Sequence, residues 1–472
     1  MSEAAHGTSA KLSPGATQRL AEFNASLTFA QIPSDVVEKV KLCVLDSLGC
    51  TIFGASLPSV RRLETMAGME GSSAQAAIFG TARRTSAPLA ALVNATSAHA
   101  FQLDEIHIES TLHPGSLSLP AAFALAEMAA AKPSGRDLIT AIVAGNELGI
   151  RAGLAAKGGM FKSGFHNQGT TGVFVAAASA ARMLQLDPEQ TRHALGIAGS
   201  QAAGLMAVQD GAMTKAFHSG RAAQSGIYGA LLAKSDYTGI PDVLDGAYGT
   251  FFSAFLDDWS PASLTEGLGS RWQTLRIGFK PAPASNGSIT AMTAIGNVMQ
   301  RYKLKADDIE TVTAFVSDNT IHHCGWPYEG KRIQSVLSAQ MNLRYGIAVM
   351  ALEGRAGVAQ FEEQKIRAPE ILKFIERTRV EHEPKFELEN GRYRVACRLV
   401  VRTKDGKVFE DEVLYRKGSP EDPMTTAQLQ EKFRGLAVGL GAQHSASIEH
   451  LVTNLENVTD LSELSGLLTL KQ

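Results

Sequence analysis

Cysteine, aromatic residues and any excess of one charge are all scarce in this 472-residue chain. The 4 cysteines, Cys43, Cys50, Cys324 and Cys397, are scattered, and none forms a C-x-x-C pair. That excludes a disulfide framework and the common cysteine-rich metal sites, and it points to a reducing, cytoplasmic setting. Lys plus Arg (45) and Asp plus Glu (47) nearly cancel, leaving a net charge of −2. With no basic excess to hold nucleic acid or a membrane surface, an anionic ligand has to be recognised by local groups. The sequence has no uncharged apolar run of about 18 residues, so no membrane-spanning helix is expected. Its opening residues, MSEAAHGTSAKLSPGATQRL, lack the apolar segment of a secretory leader. Neither a G-x-G-x-x-G turn after a strand nor a P-loop is present, so no nucleotide or dinucleotide cofactor is expected. No repeat of fixed period occurs either.

What is present is a chain with 44% hydrophobic residues, too long for one ordinary core. Residues up to about 270 are rich in alanine and glycine and read as helices. Ser34 stands where it can cap a helix carrying Val36, Val40, Cys43 and Leu48. Ser134 and Asp137 have capping-box spacing, and Asp187-Pro188 reads as an N-cap followed by a first-turn proline. The small-residue stretches TGVFVAAASAARMLQL and SGRAAQSGIYGALLAKS predict helices buried on most sides. Beyond residue 272 the pattern changes. IETVTAFVSD alternates as a strand, and YRVACRLVVRTKDGKVFEDEVLY reads as a hairpin turning at Asp405-Gly406, with another turn at Asn390-Gly391. Between the strands, SVLSAQMNLRYGIAVMALEG predicts one helix closed by Gly354. The expected fold is therefore mainly α: an all-helical domain over 1–271, an α+β domain over 272–417, and C-terminal helices over 418–472 returning to the first domain.

Five clusters could carry chemistry. HAFQLDEIHIESTLHPGS, residues 99–116, holds three of the 12 histidines along with Asp104, Glu105 and Glu109. On a helix Asp104 and His107 would share a face, and His113 falls on a loop at Pro114-Gly115. The stretch suits a metal site, an acid/base site or a solvated polar loop, although no H-x-x-x-H pair supports the metal. In SGFHNQGTTGVF, His166 precedes a helix start that could hold a carboxylate or could be a plain cap. In QDGAMTKAFHSGRAAQSG, Lys215, His218 and Arg221 are three apart, but Ser219-Gly220 reads as a turn; the alternative is a solvated basic edge. In IGFKPAPASNGS, Lys280 precedes Ser285-Asn286, which open a helix or form a linker. In IHHCGWPYEG, His322-His323-Cys324 could ligate a metal, although adjacent residues rarely both reach one ion, and Trp326, Pro327 and Tyr328 form a rigid aromatic loop suited to a pocket wall or a subunit contact. The combined inventory of His, Asp and Lys with several helix starts suits proton abstraction beside a carboxylate on a small polycarboxylate.

Taken together and in order, HAFQLDEIH, LHPGSLSLPAAFALAE, GFHNQGTTGVFVAAASAARMLQLDPEQTRHALGIAGSQAAGL, DGAMTKAFHSGRAAQSG and FKPAPASNGS resemble the MmgE/PrpD family. The resemblance spans nearly the whole chain. It implies a large all-helical domain with an inserted α+β lid, a site in the cleft between them, a homodimer, and catalysis with no metal or organic cofactor. It carries active-site roles onto Asp104, His113, His166, Lys215, Lys280 and His323. The chain departs from the family pattern D-F-D-D-T at Gln102 and Ile106, and from a histidine of some members at Ser285. Those departures remove one carboxylate and one imidazole, so the resemblance speaks to reaction class more than to substrate.

The expected function is a cofactor-independent lyase, in the first place a hydro-lyase like 2-methylcitrate dehydratase. Asp104, His107, His113, His166 and Lys215 are the expected catalytic groups. Gln102, Arg221, Lys280, Ser285, Asn286, His323 and Tyr328 are the expected substrate-binding groups. An epimerase or decarboxylase of a small dicarboxylate, and a non-catalytic ligand-binding relative, are the alternatives.

Overall fold

The computed structural model of the chain describes residues 15–333, 335–388 and 392–469. The expected turn at Asn390-Gly391, and the opening residues up to Pro14, lie outside the described residues. The fold is mainly α. Its centre is a set of small-residue helices, Ala87–His99, Gly115–Met128, Gly135–Ala155, Gly172–Met183 and Thr214–Lys234, which pack on one another. Glycine lets their backbones touch. A Cβ on Gly145 would lie 1.9 Å from Ser179 Oγ, and one on Gly226 would lie 2.5 Å from the Ala177 amide nitrogen. Helices this close keep side chains at their ends in fixed register.

The predicted capping box at Ser134/Asp137 and the predicted N-cap at Asp187 with Pro188 in the first turn are present, and Gln190 completes a second capping box. Three local expectations change. Ser34 is the first residue of the Ser34–Ala55 helix and Pro33 takes the cap position, because proline fixes φ just where the helix is entered. Ser219-Gly220 is not a turn; both lie inside the Thr214–Lys234 helix, since the space beside Gly220 is filled by another helix. Gly135–Ala155 is long and apolar enough to cross a bilayer, contrary to the expectation that no such helix exists. Nearly all of it is buried among neighbouring helices, and its Glu147 and Arg151 are engaged with the 266–274 segment.

A separate hydrophobic cluster is built from residues between Ala282 and Val401, with Phe101 also inserted into it. Its four strands run in the order Thr378–His382, Ile309–Val316, Cys397–Thr403, Val408–Val413. The first pair is parallel and the others antiparallel. Val312, Ala314 and Val316 face the core as their alternation predicts, and the hairpin turns at Gly406 with φ 86°. The strand Thr378–His382 is an element the sequence pattern did not reveal. The single predicted helix around Met341 is two helices, Val336–Gln340 and Leu343–Glu353, because Asn342 caps the second. Leu429, Phe433 and Leu436 of the Thr426–Leu436 helix are buried, and Phe433 joins Leu440, Ile448 and Leu464 against Val40, Leu48 and Ile142.

Gly220 tests this packing. A Cβ there would sit 2.2 Å from Thr96 Oγ1 and 2.4 Å from the Leu92 carbonyl oxygen, so Gly220→Ala has to separate two helices. It is expected to cost about 1–3 kcal/mol in urea unfolding; an unchanged midpoint and slope would show that these helices are not in backbone contact.

Candidate active site

Two of the central helices carry functional side chains, His99 on Ala87–His99 and Lys215 and His218 on Thr214–Lys234, and His113 and His166 lie on the segments that lead into Gly115–Met128 and Gly172–Met183. Ala87–His99 ends on His99, and the chain then leaves helical geometry, with Gln102 in the left-handed region at φ 58°. Bridges between Ile106 and Gly278 and between His107 and Leu112 hold the irregular stretch that follows. Asp104 is thereby folded back onto His99. His113-Pro114-Gly115, expected to stop a helix, starts one: Gly115–Met128 begins immediately after Pro114. Buried charges clamp the stretch. Lys432 Nζ donates to Asp46 Oδ1 at 2.6 Å and to the Leu103 carbonyl at 2.7 Å. The Glu105 amide donates to Asp46 Oδ2 at 3.0 Å, and the Glu105 carboxyl, pushed up to about 8 by burial and by the charges of Asp46 and Asp104, accepts from Ser47 Oγ and the Gly115 amide.

The result is a compact cluster. His99 Nδ1 lies 2.9 Å, and His113 Nδ1 3.2 Å, from the same Asp104 oxygen, Oδ2. The His99 ring meets His113 edge-on at 4.6 Å and lies 5.8 Å from His166. His166 Nδ1 is 3.0 Å from His218 Nδ1. Lys215 Nζ donates to Gln102 Oε1 at 2.6 Å, and Lys280 Nζ donates to the Gln102 carbonyl at 3.0 Å. Gln168 ties His113 to the Thr214–Lys234 helix: it receives the His113 amide on Oε1, and its Nε2 donates to Ser219 Oγ. Exposure separates two layers. His99 and Asp104 are completely enclosed, whereas His113, His166, Lys215 and His218 each keep 5–8% of their surface. The latter four can meet a small ligand, and His99 and Asp104 stand behind them.

Burial and mutual charge set the protonation states. Burial alone would raise the Asp104 carboxyl, but the imidazoles of His113 and His99 outweigh it and hold the acid well below the carboxylate range. Burial pushes His99 down to about 3 and also lowers His113 and His166, so these rings are neutral at pH 7. Burial, with the neighbouring Lys280 charge, brings Lys215 down to about 7; burial brings Lys280 to about 8, with Asp104 opposing. The cluster thus contains a neutral imidazole backed by a carboxylate, and ammonium groups that can release a proton near neutrality.

Comparison with known proteins places these groups in a family. Residues 18–263 match the MmgE/PrpD N-terminal domain, and residues 283–457 match the MmgE/PrpD C-terminal domain. The chain belongs to the MmgE/PrpD family. It is 31% identical over 471 residues to a cis-aconitate decarboxylase-like protein of Aspergillus oryzae, covering 96% of this chain and 97% of that protein. It is 31% identical to a cis-aconitate decarboxylase of Aspergillus terreus, with 96% of each chain covered. It is 28% identical to the Homo sapiens cis-aconitate decarboxylase, over 96% of this chain and 94% of that one. The MmgE/PrpD relatives with printed activities are therefore enzymes, and carboxy-lyases.

Most residues expected from the MmgE/PrpD motifs converge, and some do not. Asp104, His113, His166, Lys215, Gln102 and Lys280 form the cluster. His323 lies close enough for Lys215 and Lys280 to depress it, after burial, to about 3, and its Nδ1 meets Gln209 Oε1 at 3.1 Å. His107 is turned away: the segment is not helical, so its side chain takes the Ser110 amide at 3.2 Å and lines a surface pocket of about 710 Å³ with Trp272 and Arg276. Arg221 is exposed and bonds Gln224, because two three-residue steps rotate a helical position roughly 120° away from Lys215. Ser285 caps the Asn286–Tyr302 helix, accepting from the Ser288 amide. Tyr328 is buried in the sheet domain and donates to the Ile366 carbonyl at 2.9 Å. Sequence reasoning passed over His99 and His218 as site residues. The first was visible as the opening histidine of its cluster, the second as the residue one turn after Lys215. His99, Asp104 and His113 also bring ligand-type atoms within 4.8 Å of one another. Each ring's Nδ1 lies within 3.2 Å of Asp104 Oδ2, so each neutral imidazole can present its own N–H to the ionised carboxylate.

Lys215 allows a test of sign. Its ordinary value is 10.5 and its folded value about 7. Between these the unfolded chain holds a proton that the folded chain has lost, so wild-type stability from this group rises with pH across that window. Lys215→Met removes the cost of the buried ammonium. Urea unfolding should therefore find the variant more stable than wild type at pH 7, with the gap narrowing by pH 9.5; a variant less stable at both pH values would contradict the assignment.

Proposed function

We propose that this chain is a lyase acting on a small di- or tricarboxylate by proton transfer beside a carboxylate, with elimination of water as its reaction. One observation carries the reading. Lys215 and Lys280, both buried, bond neutral oxygens of Gln102, and among the described residues neither has a carboxylate at ion-pair distance. Two enclosed ammonium groups without a carboxylate partner are a receptor for substrate carboxylates. The neutral His113 beside them supplies a base.

The steps follow from the groups. The substrate's carboxylates replace the Gln102 contacts of the lysines. His113, with Nδ1 towards Asp104, uses Nε2 to remove the proton from the carbon next to a carboxylate. That C–H electron pair becomes the new C=C bond as the C–O bond breaks, and the Lys215 ammonium gives its proton to the departing hydroxyl, so water leaves. The imidazolium formed is stabilised by Asp104, as His99 fixes the carboxylate from the other side. His166 and His218, neutral and in contact, orient the substrate. The segment around residues 282–401 serves as the lid over this site, within proposed domain limits of 1–271, 272–417 and 418–472. The shared cluster of Phe433 and Ile448 with Val40 and Ile142 supports the return of the last segment to the first domain. The working form is read as a cytoplasmic homodimer.

Decarboxylation is the second reading, favoured by the full-length similarity to proteins named cis-aconitate decarboxylase. There the C–C bond to a carboxylate breaks, CO2 leaves, and the electron pair left on carbon takes the Lys215 proton. Mass analysis of products from citrate-like hydroxy acids and from cis-aconitate separates loss of water from loss of CO2. Uptake of solvent deuterium with no change of formula would instead mark an epimerase. Under the proposal, His113→Ala lowers turnover at least about 100-fold while remaining folded, and kcat/KM falls as pH rises through about 7, where free Lys215 loses its proton. Near wild-type turnover in folded His113→Ala would overturn it.

A further inference from the structure

Next to the catalytic cluster lies a second cavity that its chemistry has not used. It has a volume of about 400 Å³ and opens where the Ile106–Thr111 stretch meets the sheet domain. His323 is one of its lining residues. The His323 ring packs edge-on against Phe161 at 5.4 Å, and it also senses the charges of Lys215 and Lys280.

The charges around the cavity are unbalanced. Three cations line it, Lys157, Lys162 and Arg394, against one carboxylate, Glu387. Glu387 is already engaged by the Asp318 amide at 2.6 Å and His382 at 3.2 Å. Lys157 is neutralised by Asp258 at 2.6 Å. Lys162 and Arg394 remain. Arg394 spends one nitrogen on the Ile108 carbonyl and lies 3.5 Å from Thr111 Oγ1, yet among the described residues no carboxylate sits at ion-pair distance from its guanidinium. A half-enclosed guanidinium held by neutral oxygens keeps donors for a planar anion. Asn286 adds an amide whose Oδ1 is buried without a partner on the same wall.

We infer that this cavity is a carboxylate subsite, in which Arg394, with Lys162 at the rim, holds a distal carboxylate of the same substrate whose reacting carbon lies at His113 and Lys215. The inference rests on the polycarboxylate reading above and narrows it: the preferred substrate carries three carboxylates, two served by the lysine pair and one by Arg394. The contact to Ile108 makes the subsite part of the strand of chain that carries Asp104. Occupancy by a carboxylate therefore bears on the loop that positions Asp104 behind His113.

Binding of unreactive acids tests this without turnover. Calorimetric titration uses tricarballylate, with three carboxylates, and glutarate, with two. Wild type should bind tricarballylate at least tenfold more tightly than glutarate. Arg394→Gln should remove most of that advantage while leaving glutarate within about twofold, and the exposed Lys162→Glu should act in the same direction without altering the melting temperature. Lys215→Met should weaken tricarballylate as well, since one molecule spans both sites. Equal losses for both acids in Arg394→Gln, no loss in either variant, full tricarballylate affinity in Lys215→Met, or no wild-type preference for tricarballylate would each overturn the subsite. A wild-type protein that shows the binding pattern but turns over no polycarboxylate would instead overturn the lyase reading and leave the subsite standing.

Discussion

An ionised carboxylate enclosed on every side is expensive unless its charge is met, and Asp104 is such a group. Two imidazoles, from the end of one helix and from the residue preceding another, converge on one of its oxygens. With either ring removed, the buried carboxylate would lose one of the two N–H groups set against it, at a cost of several kcal/mol. That requirement fixes the path of the chain between His99 and His113. It explains why Gln102 accepts a left-handed backbone, and why the stretch is anchored from below by Asp46, Glu105 and Lys432. Lys432 belongs to the Thr426–Leu436 helix, so a residue more than 300 positions away in sequence anchors the stretch that carries Asp104.

Around that fixed point the helices act as a rigid frame. Alanine and glycine on Gly135–Ala155, Gly172–Met183 and Thr214–Lys234 bring backbones into contact, leaving little freedom for Lys215 or His218 to drift. The frame then tolerates an unfavourable arrangement at its end: two buried ammonium groups facing a neutral glutamine. Stability lost there is available to a carboxylate ligand, which supplies the charge the protein withholds. Gln102 is central to this. A carboxylate at that position would occupy the lysines itself.

Much of this was legible in sequence because it is local. The Ser134/Asp137 capping box, the Asp187 N-cap, the Asp405-Gly406 turn and the alternation of Ile309–Val316 are each decided by a few neighbouring residues, and all appear where expected. The MmgE/PrpD motifs led to Asp104, His113, His166, Lys215 and Lys280, which the fold gathers. What was not legible depends on partners distant in sequence. Thr378–His382 becomes a strand because Ile309–Val316 offers it a parallel edge. Gly220 stays helical because Leu92 and Thr96 fill the space beside it. His107 is buried away from the cluster because the bridge from its own backbone to Leu112 breaks the helical spacing that would have paired it with Asp104. His99 closes an otherwise bland alanine-rich helix, and only the return of the chain through Asp104 makes it part of the site.

The central claim is that Asp104 stays ionised between two imidazoles that remain neutral. Nitrogen-15 NMR of the histidine rings reads it directly. The account predicts that the His99 ring stays uncharged down to about pH 3 and that His113 titrates below the ordinary 6.5, both with the Nδ1-protonated tautomer signature. A His99 imidazolium populated at pH 6, or rings whose shifts do not respond to Asp104→Asn, would contradict it.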